Sequence, residues 1–196
     1  MPVIDLPLLF RITTGLLLAM QTLSRLWMTR NKPKAENNRF SHRSREQFFI
    51  RLTGGAMALA YLYAVLPDTT ILDFSLPEAL RWFGAALMLA GNVLFILAYL
   101  HLGSQWSPEL EIQPGHHLII RGIYGVIRHP MYTGFLIFGM GMVLLTANLF
   151  GSVYLPAVAA MIFTRLPSEE LLLTDEFGEE YLEYKRRTSA LIPGIF

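Results

Sequence analysis

The chain has 196 residues, 53% of them hydrophobic and only 16% charged, with a formal net charge of +1. Mean hydropathy is positive, at +0.42, which is the composition of a membrane protein. Cysteine is absent, and this excludes a disulfide framework, thiolate metal ligation and a cysteine nucleophile.

The opening stretch, MPVIDLPLLFRITTGLLLAMQTLSRLWM, is apolar but carries Asp5 rather than a basic leader, and it has no small-x-small cleavage site. It reads as a retained membrane helix. A bilayer core about 30 Å thick takes roughly 20 helical residues, and predicted spans then fall at 5–27, 48–66 and 79–101. The polar, basic segment RNKPKAENNRFSHRSRE (30–46) between the first two suits a surface of lipid headgroups. The stretch 102–128 is interrupted by Gly103, Pro108, Pro114, Gly115 and Gly122, so it does not form one continuous helix. From Pro130 to Thr164 no charged residue occurs, and these 35 positions are too many for a single crossing. TANLFG (146–151) supplies a turn that divides the run into a helical hairpin of about 130–146 and 149–165.

The basic residues test this layout independently. Arg30, Lys32, Lys34, Arg39, Arg43 and Arg45 follow the first span, whereas PDTTILDFSLPE between the second and third holds Asp68, Asp73 and Glu78 with no Lys or Arg. By the positive-inside tendency the first loop is cytoplasmic and the second external. Alternation puts the N-terminus outside and the tail, with Lys185, Arg186 and Arg187, on the cytoplasmic side. The expected fold is all-α, a polytopic membrane bundle of about five transmembrane helices with a C-terminal amphipathic helix.

That last helix is read from LPSEELLLTDEFGEEYLEYKRR. Pro167 is tolerated in a first turn, Ser168 caps it, and Phe177-Gly178 is a point of division. Leu171, Leu172, Tyr181 and Tyr184 form its face toward bilayer or bundle. Arg165 and Glu169 sit four residues apart at the mouth of the last span, on one helical face if the helix runs through Pro167. A helix-end salt bridge and a functional site both fit, because ionisable groups near membrane depth usually face a bundle interior or a cavity. The hairpin makes the ends of its two helices neighbours, so Arg128, His129, Tyr132, Arg165 and Glu169 are expected to cluster. Such a cluster at the water-lipid boundary suits a ligand with one charged or zwitterionic portion and one greasy portion.

Other chemistries are weaker. GMGMV (139–143) lies inside a span, without the strand and turn of a phosphate loop, and reads as close helix packing. His101, His116, His117 and His129 match no established metal-site spacing, and neither a metal nor a nucleic-acid partner is expected. Glu109 and Glu111 share a face of a short extended segment, which reads as a solvated edge.

Two motifs flank the hairpin: GHHLIIRGIYGVIRHPMYTG and RLPSEELLLTDEFGEEYLEYKRR. At these residues the chain resembles the isoprenylcysteine carboxyl methyltransferase family, a branch of a wider group that includes membrane phospholipid methyltransferases. The first motif is similar to the family's His-x-Leu-Val…Gly-x-Tyr…Arg-His-Pro-x-Tyr pattern, with Ile119 where valine is usual. The second is similar to its Arg-x(3)-Glu and Glu-Glu-Tyr-x-x-Tyr tail. The resemblance covers about 104–196 and divides the chain into N-terminal spans, 1–103, with a basic loop at 29–47, and a methyltransferase core, 104–196.

The resemblance implies S-adenosylmethionine as methyl donor in a cytoplasm-facing pocket. Carried over by position, His116, His117, Leu118, Ile119 and Tyr124 line that cofactor pocket, and His129, Pro130, Met131 and Tyr132 form its second wall. Glu169 holds the methionine amino group, and Arg165 faces the methyl acceptor, so these two carry the catalytic expectation. Glu111 or a neighbour is left for the family's upstream cofactor contact. The implied acceptor is a lipophilic molecule entering from the bilayer, such as the α-carboxylate of a prenylated cysteine. An ionised carboxylate needs no general base and suits a guanidinium, whereas an amine acceptor makes Glu169 or His129 a base. Phospholipid or other amine N-methylation, a non-catalytic scaffold engaging membrane lipids and a membrane reductase are the competing readings.

Overall fold

In a computed structural model of the chain, residues 5–31, 39–40, 43–66, 69–107, 111–112 and 117–194 are described. Among them are the helices α1 (Leu6–Arg30), α2 (Arg43–Val65), α3 (Glu78–Leu102), α4 (Pro130–Thr146), α5 (Leu149–Ser152), α6 (Tyr154–Phe177) and α7 (Glu179–Arg187). Two short strands, β1 (Arg39–Phe40) and β2 (Glu111–Ile112), pair antiparallel. Leu6–Arg30, Gln47–Val65, Glu78–Leu102 and Leu149–Phe177 are each long and apolar enough to cross a bilayer, and Pro130–Thr146 is a shorter apolar helix.

Local chemistry sets the helix ends. The Asp5 carboxylate accepts from Leu8 N at 3.1 Å and caps α1, leaving one fewer orphan N–H at its start. Ala147, at φ 47°, stops α4, and Asn148 then caps α5 by accepting from Phe150 N at 2.8 Å. The turn expected at TANLFG is built from these two residues.

The central pair is α3 against α4, and glycine makes it possible. Gly84 and Gly91 lie seven residues apart on α3, as do Gly134 and Gly141 on α4, and they meet as Gly84 with Gly141 and Gly91 with Gly134. A Cβ on Gly91 would stand 2.6 Å from Gly134 O and 2.7 Å from Phe138 N, so the backbones approach at a distance that no side chain permits. Gly139 packs instead against Tyr154 and Leu155 of α6, consistent with GMGMV as a packing segment. Phe138, Met142, Leu145, Val158 and Ile162 are fully buried between these helices and α1 and α2.

At the end of the bundle away from the polar cluster, two arginines satisfy helix carbonyls. Arg81 donates from Nε to Leu145 O at 2.9 Å, and its guanidinium lies 3.8 Å from the Phe10 ring centroid. Arg11 donates to Tyr63 O at 3.1 Å and to Thr69 Oγ1 at 2.9 Å.

The chain departs from the sequence expectation at Pro167. No helix begins there; α6 runs through it to Phe177. Interior proline costs a helix about 3 kcal/mol, but Leu166 before it is buried, and Glu169 and Glu170 after it are anchored to α4 and the segment before it. Tertiary contacts on both sides outweigh the lost hydrogen bond. The division expected at Phe177-Gly178 is present, with Gly178 at φ 54° turning the chain from α6 into α7.

Candidate functional site

Residues 128–132, RHPMY, are held from two directions. Pro130 opens α4, where its missing N–H is harmless, while Arg128 N and His129 N donate to Ser189 O at 2.9 Å and Ala190 O at 3.0 Å. The C-terminal segment thus runs as a strap along the motif. Thr133 Oγ1 donates to Leu191 O at 2.7 Å, and Tyr184 Oη donates to Tyr124 O at 2.6 Å. Burial pushes the Tyr184 phenol up to about 12, so it stays a neutral donor.

On this frame sit two adjacent carboxylates with different partners. Glu169 accepts a hydrogen bond from Tyr132 Oη, and its Oε1 lies 3.5 Å from His129 Nδ1. Glu170 Oε1 accepts from Arg128 Nε at 2.9 Å and lies 3.5 Å from His129 Nε2, while Glu170 Oε2 is 2.6 Å from Lys185 Nζ. His129 therefore bridges both acids and stacks on Tyr132, with ring centroids 5.5 Å apart and planes 13° apart. Burial alone would lower the His129 pKa, but Glu169 and Glu170 outweigh it and hold it above the usual value.

These groups form part of the wall of a cavity of about 520 Å³, a volume typical of small-molecule sites. Its polar part is lined by Gln105, His117, Tyr124, Arg128, His129, Tyr132, Arg165 and Glu169. Leu26, Ile50, Gly54, Met57 and Ala58 of α1 and α2, with Phe95, Val158 and Met161, line an apolar part. Gln105 fixes His117 through contacts at 3.3 Å to its Nδ1 and from its backbone N, and Trp106 Nε1 donates to Met131 Sδ at 3.1 Å.

His117, Leu118, Ile119, Tyr124, His129, Met131, Tyr132, Arg165 and Glu169 all line this one cavity. The cluster expected from the hairpin is present. Pro130 is buried at the start of α4 and is not part of the lining. His116 and Glu109 lie outside the described residues, as do 32–38 and 41–42 of the basic loop, and for Glu111 only the backbone in β2 is described. Sequence reasoning missed Glu170, Gln105, Trp106, Tyr154 and the polar face of α1 that carries Gln21 and Arg25. Only the adjacency of Glu170 to Glu169 hinted at the first; nothing local to α1 marked the last.

A helical membrane bundle enclosing a cavity with a charged and an apolar part is the architecture of a membrane protein that takes an amphiphilic small molecule. Its similarity to known proteins defines the class more closely. The Isoprenylcysteine carboxyl methyltransferase (ICMT) family profile matches residues 84–175. Protein-S-isoprenylcysteine O-methyltransferase B of Arabidopsis thaliana is 30% identical over 145 residues, covering 70% of this chain and 74% of that protein. A probable protein-S-isoprenylcysteine O-methyltransferase of Oryza sativa subsp. indica is 33% identical, covering 58% of this chain and 63% of the relative. The Homo sapiens protein-S-isoprenylcysteine O-methyltransferase is 30% identical over 68% of this chain, which spans 51% of its length. The solved structure of a eukaryotic intramembrane Ras methyltransferase, ICMT, shares the fold with a TM-score of 0.54 at 24% identity, covering 80% of this chain and 55% of that one. The chain belongs to the isoprenylcysteine carboxyl methyltransferase family and is an enzyme of the methyltransferase class.

Proposed function

We propose that this enzyme transfers a methyl group from S-adenosylmethionine to a carboxylate on a lipophilic acceptor, with the α-carboxylate of a prenylated cysteine as the substrate class. The names of its relatives support the acceptor. The observation that carries the reading is the cavity that has Glu169, His129 and Tyr132 at its polar part, Arg165 on its lining and an apolar part lined by residues of α1, α2, α3 and α6.

The residues present fit the donor. Glu169 offers a carboxylate to an ammonium, and His117, Leu118, Ile119 and Tyr124 offer a mixed wall to a nucleoside. S-adenosylmethionine, when bound, would supply a methyl group on an already activated sulfonium, so that the acceptor oxygen would gain the methyl as the S–CH3 bond broke with its electron pair left on sulfur, and no proton would need to move. The protein's part is to align the carboxylate in a site that excludes water. Arg165 does this through its guanidinium. Glu169 is already engaged by His129 and Tyr132, which favours an acceptor that needs no base. Residues 104–196 form the methyltransferase core and the spans of 1–103 add further wall to the apolar part, with the polar part facing the cytoplasm and the N-terminus outside.

Isothermal titration of the purified protein with S-adenosylhomocysteine tests this directly. Saturable binding in the micromolar range is expected; no binding at high micromolar ligand would sink it.

A further inference from the structure

Arg25 is on α1, outside the family match at 84–175 and outside both sequence motifs. Its side chain lines the cavity together with Gln21 and Thr29, one turn before and one turn after it on the same face. Arg165 of α6 lines the same cavity, close enough for the two guanidinium charges to act on one another, and Tyr154 acts on Arg25 as well. Like charges sharing a cavity wall repel, the more so within low-dielectric surroundings. Arginine is not deprotonated to relieve this; Arg165 already has the Glu169 carboxylate acting on it, so Arg25 is the cation that an anion entering the cavity meets.

Gln21 supplies a second, independent observation. It is 3% exposed, and its Oε1 has no hydrogen-bond partner among the described residues. Buried polar atoms are ordinarily paired, so this wall accommodates a ligand that donates a hydrogen bond. A basic anchor for lipid headgroups needs neither a place in the cavity nor a neighbouring buried amide.

We infer that Arg25 is a substrate-positioning residue, which with Arg165 holds the acceptor's carboxylate while Gln21 accepts from an amide N–H beside it. This rests on the carboxylate-methylation reading and deepens it by adding a second cation and a hydrogen-bond acceptor to the acceptor site. Two guanidinium groups fix the carboxylate's orientation, and α1 becomes part of the acceptor site.

The test uses the full chain in detergent, saturated with S-adenosylhomocysteine. Two probes compete for binding: N-acetyl-S-farnesylcysteine and its carboxamide, which has the same lipid and no charge. The wild type is expected to favour the carboxylate by about tenfold or more, the scale of a hydrogen bond to a charged group. Arg25→Gln is expected to lose most of that preference, with S-adenosylhomocysteine affinity unchanged and, in turnover, KM rising more than kcat falls. Arg25→Lys, which keeps the charge and loses the fork, is expected to fall between the two and serves where Arg25→Gln is poorly folded. Retention of the full preference in either folded variant overturns the inference while leaving the enzyme's function intact. A wild type that binds S-adenosylhomocysteine but shows no preference between the probes overturns it too. A wild type that binds no S-adenosylhomocysteine refutes instead the function on which it rests.

Discussion

His129 Nδ1 stands 3.5 Å from Glu169 Oε1, where the segment before α4 meets the far half of α6. The same imidazole reaches Glu170 through its other nitrogen, so one ring ties two successive acids of one helix to the start of another. The contact organises the cavity's polar wall.

Its pH dependence follows in sign. The folded-state His129 pKa is raised, because the two carboxylates outweigh burial. The stabilisation is therefore fully present below the unfolded value of about 6.5 and is lost as pH rises through the folded value. Melting temperatures of wild type and His129→Gln, measured between about pH 5.5 and 9, should differ most at the acid end. A gap that widens with pH contradicts this arrangement.

Glu170 should matter more to stability than its exposed partner. Arg128 is 8% exposed and Lys185 44%. Glu170→Ala leaves the buried Arg128 charge without this carboxylate and is expected to cost about 3–5 kcal/mol. Lys185→Ala is expected to cost no more than about 1 kcal/mol. Chemical denaturation in a single detergent measures both, and equal losses would refute the asymmetry.

The α3–α4 contact predicts opposite outcomes for two glycines. Gly91→Ala puts a Cβ against the α4 backbone and should destabilise by about 1–3 kcal/mol. Gly55→Ala meets nothing within 4 Å and should be neutral or stabilising by up to about 1 kcal/mol, through helix propensity. Thermal melts of the two variants check the pair.

Gly54 also has open space before it, and it lines the cavity. Gly54→Leu should fill part of the apolar groove and shift acceptor preference from a fifteen-carbon toward a ten-carbon prenyl chain, with S-adenosylhomocysteine binding unchanged. Relative KM values for the two chain lengths read this out, and unchanged selectivity places the lipid elsewhere.

Arg165→Lys should remove most methyl transfer, because an ammonium does not reproduce the fork. The wild-type rate on a prenylcysteine carboxylate should vary little between about pH 6 and 8, since the acceptor is ionised throughout. A steep rise with pH indicates an amine acceptor.

Hydropathy and charge in the sequence determined the helical segments, and TANLFG determined where the long apolar run turns. The hairpin also forecast that RHPMY would meet Arg165 and Glu169, because adjacent helices joined by a short turn are neighbours. These are local signals, carried by period, length and turn chemistry. Tertiary structure decided the rest. Whether α6 ends at Pro167 depended on anchors far along the chain, and Glu170 differs from Glu169 only in what each one meets. Arg25 looked like any basic residue near the end of a span until packing set it on the same cavity as Arg165, about 140 positions away. No local pattern encodes that meeting, because it arises only when α1 folds onto the core.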